Sequence, residues 1–210
     1  MKKIVTTLFV IVISVFSFAQ TPNEVRGSMG IDFVSVPDLK NYLEANYTDI
    51  LSDFSSAVNF SGSYGRMVGE NSQLELELGY ILNSYNSTSS LGSYDLTYSI
   101  LMPSLLYNYV ISGSGYNFKF GGGAGVRFLS IDESLPGAGS SDKYSATGYG
   151  FILRAVGNTA IAQNVYAHIG ADVRYDVLGE PDSSLGENTI GTVNFSTLSF
   201  GLRLGISYQF

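Results

Sequence analysis

The alternation of apolar and polar residues along almost the whole chain is the feature that most restricts its fold. From residue 198 to residue 210 every second side chain is apolar, and the residues between them are small or polar. Segments 74–83, 116–128 and 165–177 show the same period. A two-residue period is that of a β-strand, whose successive side chains point to opposite faces of a sheet. The pattern therefore predicts an all-β protein.

Weaker alternating segments bring the number of predicted strands to eight. These segments are residues 28–36, 56–66, 94–109 and 146–156. In the third of them the apolar residues change parity after Pro103, and we predict a β-bulge there because proline cannot donate to a neighbouring strand. The links after strands 2, 4 and 6 are short, whereas those after strands 1, 3, 5 and 7 are mostly long. The order predicts an antiparallel meander, with a short helix around Leu39 and Leu43 in the first long link.

The first 20 residues have the three parts of a secretory signal peptide. Lys2 and Lys3 form a basic start, a mostly apolar stretch follows, and Ala19 precedes the predicted cleavage point. The apolar stretch is shorter than the ~20 residues that a membrane-spanning helix needs. We therefore expect residues 1–19 to be removed and residues 20–210 to form one exported domain.

Composition excludes several kinds of chemistry. The chain has no cysteine and one histidine, so a disulfide framework, a thiolate site and a multi-histidine metal centre are all excluded. We predict no metal and no cofactor. The net charge is −7, and −9 without Lys2 and Lys3, which is the wrong sign for binding nucleic acid.

The polar faces of the strands decide between a soluble barrel with an apolar interior and a membrane barrel with an apolar exterior. They combine many glycines with few long polar side chains, whereas a solvated surface is rich in charged residues. Aromatic residues end the apolar faces, as the two aromatic girdles of an outer-membrane barrel do. They are Tyr80, Tyr94, Phe128, Tyr149 and Tyr175 near long links, and Tyr116 and Tyr208 near short links or the terminus. We predict an eight-stranded antiparallel up-and-down transmembrane β-barrel with an apolar exterior and a polar lumen.

Nine residues on the polar faces form a predicted lumen charge network. They are Glu75, Glu77, Lys119, Arg127, Arg154, His168, Asp172, Arg174 and Arg203. An eight-stranded barrel is just wide enough inside for side chains to fill it, and buried unpaired charge is costly. We therefore expect Glu75 and Glu77 to pair across the lumen with Lys119, Arg127 or Arg203. Such a network forms either a structural plug, which we favour, or a charge-gated pore.

No catalytic residue is predicted. His168 is the only histidine that could act as a base, and its parity points it into the lumen, away from lipid. The long links 37–55, 129–145 and 178–197 have net charges of −3, −2 and −3, but none contains the acidic spacing of a calcium loop. We interpret them as solvated surface loops. The sequence does not identify an extracellular ligand for them.

The run 200–210, which ends on an aromatic residue, resembles the β-signal of bacterial outer-membrane proteins. With the predicted leader and meander, the chain resembles the small OmpA/OmpX-type outer-membrane β-barrels. The resemblance implies a place in the bacterial outer membrane, contact with its lipid and lipopolysaccharide, and recognition of Tyr208 and Phe210 by the barrel-assembly machinery. The predicted function is a non-enzymatic structural or surface-interaction barrel. The alternatives are a narrow, porin-like ion-conducting pore and a lipid-A-modifying enzyme.

Overall fold

The computed structural model describes residues 22–46, 55–89, 92–134, 141–183 and 193–210. The predicted leader lies outside these residues. Within them the structure has nine strands and one short helix. In chain order they are β1 (Asn23–Ser35), α1 (Pro37–Asn46), β2 (Ser55–Gly69), β3 (Ser72–Ser89), β4 (Gly92–Gly113), β5 (Tyr116–Ser134), β6 (Ser141–Ala162), β7 (Val165–Val177), β8 (Asp182–Ser183) and β9 (Thr197–Gln209).

Eight of these strands close into an antiparallel ring. Each pairs with its neighbour in the chain, except that β9 pairs with both β7 and β1, and the two-residue β8 lies beside β6 outside the ring. At the seam, the amide of Asn23 donates to the carbonyl of Phe210 at 2.8 Å, and the amide of Phe210 donates back at 2.9 Å. The predicted eight-stranded up-and-down barrel is confirmed.

The two ends of the barrel differ in how they connect the strands. Two-residue turns join β2 to β3, β4 to β5 and β6 to β7. Gly115 and Asn164 in two of these turns have φ angles of 79° and 64°, a region that glycine and asparagine tolerate best. We call this side the turn end and the opposite side the link end. Strands β3 and β5 run on to Ser89 and Ser134, so the predicted long links 84–93 and 129–145 are wrong: most of their residues are strand.

The β-bulge predicted at Pro103 is also wrong. The register of β3 with β4 is continuous through Pro103, which lies opposite Leu78. The even-numbered residues of β4 from Tyr94 to Val110 are buried, and Leu96 and Leu106 are both fully buried. Tyr94, predicted in the aromatic girdle, is inside the barrel as well.

The apparent change of parity has a physical cause. Toward the turn end the outward residues of β4 are apolar, and toward the link end they are polar. The outward polar residues are Asp95, Thr97 and Ser99, which precede the outward Leu101 on the same face. The outside of this part of β4 is therefore polar, as a surface in contact with water is, and its apolar side chains pack inside.

Between the two ends the exterior is apolar, as predicted. Leu153, Leu204 and Met29 are 69%, 61% and 60% exposed, which suits a surface in contact with acyl chains. The other predicted girdle residues point outward: Tyr80, Phe128, Tyr149 and Tyr175 on one side and Tyr116 and Tyr208 on the other.

The interior consists of two layers. The layer toward the turn end is charged, and the layer toward the link end is apolar. Leu39 and Leu43 of α1, the predicted short helix, pack into the apolar layer with Tyr98 and Phe195. The rings of Tyr98 and Phe195 meet edge to face with centroids 6.0 Å apart. Among the described residues, no helix is long and apolar enough to cross a membrane.

Candidate functional site

The described residues include thirteen buried charged side chains. One of them, Glu133, lies toward the link end, where its Oε1 accepts a hydrogen bond from the hydroxyl of Tyr94 at 2.8 Å. The other twelve fill the layer toward the turn end, and we call them the lumen charge network. Six are basic and six are acidic, so their charges cancel. The basic residues are Arg26, Lys119, Arg127, Arg154, Arg174 and Arg203, and the acidic residues are Glu24, Asp32, Glu75, Glu77, Asp172 and Asp176. They come from β1, β3, β5, β6, β7 and β9, whose inward faces meet in the lumen.

Glu77 is at the centre of the network. Arg154 binds it with two guanidinium nitrogens, one of them Nη2 at 2.6 Å from Oε1. Arg203 approaches the same carboxylate with Nη1 at 3.4 Å and places Nε 2.6 Å from Oδ2 of Asp172. Bidentate guanidinium–carboxylate contacts are among the strongest polar interactions in proteins.

Glu75 links this centre to β1. Its Oε2 accepts hydrogen bonds from Nη2 of Arg26 at 2.7 Å and from Nδ2 of Asn108 at 2.9 Å. Its Oε1 lies 3.4 Å from Nη1 of Arg154, which therefore contacts both glutamates of β3.

The network extends from this centre in both directions. Toward the turn end, Lys119 pairs with Glu24 and donates to Oε1 of Gln73 at 3.1 Å. Toward the link end, Arg174 pairs with Asp32, and Nε of Arg127 lies 2.5 Å from Oδ1 of Asp176. Every member of the lumen charge network thus has at least one partner of opposite charge.

Comparison with known proteins bears on the fold. No protein-family model matches the chain, and no curated protein matches it. Among solved structures, Neisserial surface protein A matches over 90% of this chain and 97% of its own, with 17% identity and a TM-score of 0.54. Ail of Yersinia pestis, in complex with the heparin analogue sucrose octasulfate, matches over 91% and 100%, with 12% identity and a TM-score of 0.52. OprG of Pseudomonas aeruginosa matches over 90% and 96%, with 16% identity and a TM-score of 0.51. The fold is that of a small outer-membrane β-barrel.

The barrel places all nine predicted lumen residues inside. Glu77 and Arg203 meet, as one of the predicted alternatives had it. Lys119 and Arg127 do not pair with Glu75 or Glu77, and those two alternatives are wrong. The reason is the position of each residue along the barrel axis. Lys119 and Arg127 are eight residues apart on β5, roughly 26 Å along a strand at about 3.3 Å per residue. Lys119 therefore pairs toward the turn end with Glu24, and Arg127 pairs toward the link end with Asp176.

Four members of the network are absent from the prediction. Glu24 and Arg26 were missed because β1 begins at Asn23 and not at residue 28. Glu24 and Arg26 have even numbers, like the inward Asp32 and unlike the outward Met29. This alternation was the signal that could have placed them in the lumen. Asp176 lies on the predicted polar face of β7, two residues after Arg174.

Glycines provide room for the network. A methyl group at Gly150 would overlap Oδ1 of Asp176 and Nε of Arg127. A methyl group at Gly201 would overlap Oδ1 of Asp32 and crowd Asp172. Inward glycines opposite long charged side chains explain why the polar faces are rich in glycine.

His168 lies beside the network and contacts Ser28. Its Nε2 is 3.0 Å from Oγ of Ser28, a distance typical of a nucleophile and its general base. No hydrogen-bond partner orients Nδ1 among the described residues, and the adjoining cavity measures only about 10 Å³. The pair has neither an orienting third group nor room for a substrate.

Proposed function

We propose that this chain is a non-enzymatic protein of the bacterial outer membrane that acts through the surface at its link end. The filled lumen is the observation that carries the proposal. The twelve charges pair within the barrel, and the apolar layer with α1 lies above them. The paired charges and the apolar layer above them support a structural plug over an ion-conducting pore.

The interior also argues against a lipid-A-modifying enzyme. Ser28 and His168 form the pair that most resembles catalytic groups, and both face the lumen. An acyl substrate would lie in the membrane, on the other side of the barrel wall. The remaining role for the barrel is to anchor and present its link end.

The link end carries the excess charge of the barrel. Its described, unburied acidic residues are Asp38, Glu44, Asp95, Asp132, Asp142, Glu180 and Asp182, against Lys40 and Lys143. At the turn end Arg66 and Glu70 cancel. Because opposite charges steer partners together, this surface favours a cationic partner. The Ail structure contains a heparin analogue, which is a polyanion, and the acidic link end would repel such a ligand.

The proposal has consequences for location and partners. The link end faces the outside and the turn end the periplasm, as short periplasmic turns are the rule for these barrels. The apolar belt contacts outer-membrane lipid and lipopolysaccharide, and the barrel-assembly machinery recognises the strand that ends in Tyr208 and Phe210. A tag inserted at residues 138–141 should then bind antibody on intact cells. Labelling that requires permeabilised cells would contradict this orientation.

Planar bilayers test the closed lumen. The refolded barrel should show no steady ionic conductance, and a variant with both Arg154→Ala and Glu77→Ala should stay closed as well, because the apolar layer with α1 still blocks the link end. Discrete conductance steps in the unaltered protein would contradict the proposal.

Binding measurements test the surface. Barrels in neutral lipid vesicles should bind an oligolysine peptide, more weakly as salt rises, and should not bind heparin. A variant with Asp132→Asn and Asp142→Asn should bind the peptide less, while Glu70→Gln at the turn end serves as the control. Preference for heparin would contradict a cationic partner.

A further inference from the structure

A small closed cavity lies inside the barrel between β1, β6, β7 and β9. Its volume is about 10 Å³, and its polar lining consists of Arg26, Ser28, Arg154, His168, Asp172 and Arg203. A cavity of roughly this volume holds one particle of the size of a water molecule. None of the roles described above uses this cavity.

Several polar atoms around the cavity make no hydrogen bond. Nη2 of Arg203 and Nε of Arg26 donate to no acceptor within the described parts of the chain, and Nδ1 of His168 and both carboxylate oxygens of Asp172 have no hydrogen-bond partner there either. Arg203, Arg26, His168 and Asp172 are 4%, 7%, 5% and 2% exposed, so bulk water does not satisfy these atoms. A buried donor without an acceptor is costly, and more so when it is charged.

The lining is also cationic. It contains three guanidinium groups and one carboxylate, that of Asp172. Asp172 is already engaged by Nε of Arg203 at 2.6 Å and lies 3.6 Å from Nε of Arg174. We propose that the cavity binds one small monovalent anion, of which chloride is the representative. The anion accepts hydrogen bonds from Arg26 and Arg203, while Asp172 stays on its arginines and limits the affinity.

The anion has a short route from the turn end. A second cavity of about 80 Å³ opens there and is lined by Glu24 and Lys119, among others. Glu24 also lies 3.6 Å from Nε of Arg26, which lines the inner cavity. Glu24 thus lines the outer cavity, and its partner Arg26 lines the inner one. The link end offers no such route, because the apolar layer closes it.

Gly170 allows a test that alters no charge. Gly170 lines the cavity with Val156, and a methyl group on it would lie 3.2 Å from Cγ2 of Val156, so small adjustments accommodate it. Gly170→Ala should therefore fill part of the cavity and keep the fold. Gly62→Ala is the matched control, since its methyl group would have nothing within 4 Å.

The measurement is urea unfolding in neutral lipid vesicles, with chloride replacing gluconate at constant ionic strength. A ligand that binds the folded state stabilises it increasingly with concentration. The unfolding midpoint should rise with chloride in the unaltered protein and in Gly62→Ala, and should not change in Gly170→Ala. Crystals grown in bromide should show one anomalous peak between Arg26 and Arg203.

Two results would overturn the proposal. Equal midpoints in chloride and gluconate, together with no bromide peak, would show that the cavity takes up water only. A chloride effect of full size in folded Gly170→Ala would place the anion elsewhere. Should that variant fail to fold, the bromide peak in the unaltered protein decides the matter alone. None of these outcomes depends on the surface role proposed above.

Discussion

Arg154 on β6 and Glu77 on β3 join opposite walls of the barrel through a bidentate contact in the middle of the lumen. Neither strand is a neighbour of the other in the ring. Both residues are more than nine-tenths buried, so the pair lies where water screens it little. The pair therefore ties together strands that no backbone hydrogen bond connects.

Replacing one member of this pair should lower the free energy of unfolding more than replacing both members. Arg154→Met leaves the carboxylate of Glu77 with only the longer contact to Arg203, and we expect a loss of about 3–5 kcal/mol, the usual cost of a broken buried pair. The variant with both Arg154→Met and Glu77→Leu should recover much of that loss. Urea unfolding in lipid vesicles measures both, and a double variant no more stable than Arg154→Met would contradict the pairing.

Charge on the lipid face should be tolerated poorly. Leu204 points outward near the middle of β9, and Leu204→Arg should lower the free energy of unfolding by about 2–4 kcal/mol, the range for a basic residue at the bilayer midplane. The neighbouring Arg203 points inward. Arg203→Leu should act through the lumen instead, because Asp172 loses its nearest arginine. If Leu204→Arg has no effect while Arg203→Leu unfolds the barrel, the membrane does not surround this face.

An inward glycine and an outward glycine should respond differently to the same methyl group. Gly150→Ala forces apart the pair Arg127–Asp176, and we expect a cost of about 1–3 kcal/mol, as for other overpacked interiors. Gly62→Ala meets open space outside the barrel and should change stability little. Thermal unfolding in one detergent compares the two, and equal losses would contradict the steric explanation.

The helix α1 should contribute to stability through its buried side. Leu39 is 1% exposed within the apolar layer, and Leu39→Ala should cost about 2–5 kcal/mol, as is typical for a truncated core leucine. Asn41→Ala, on the exposed side of the same helix, is the control. Equal urea midpoints for the two variants would mean that α1 does not hold the mouth of the barrel closed.

The end of the chain should matter for assembly in cells. Phe210 exchanges two backbone hydrogen bonds with Asn23 and stacks on Tyr208 with ring centroids 5.9 Å apart. Phe210→Asp keeps the backbone but loses the aromatic ring, so the yield of folded barrel in the outer membrane should fall. Refolding in detergent should be affected much less. A similar loss in both settings would assign the ring a role in stability and not in recognition.

The sequence alone determined the strands, their order and the sorting of most residues between the inside and the outside of the barrel. A period of two in side-chain direction follows from backbone geometry, so Leu204 and Arg203 were assignable to opposite faces without coordinates. The short turns made each strand the antiparallel neighbour of the next. The same reasoning failed at β4, because alternation identifies two faces but not the medium that covers each of them.

The tertiary structure decided which residues meet across the lumen and where the lipid ends. Partners such as Arg154 and Glu77 depend on the height of each side chain, which the tilt and stagger of all eight strands set together. The apolar residues around Tyr98 became interior because the outward face of that part of the wall is polar. The alternation along one strand does not give the height of a side chain along the barrel axis, because that height depends on how all the strands close into the ring.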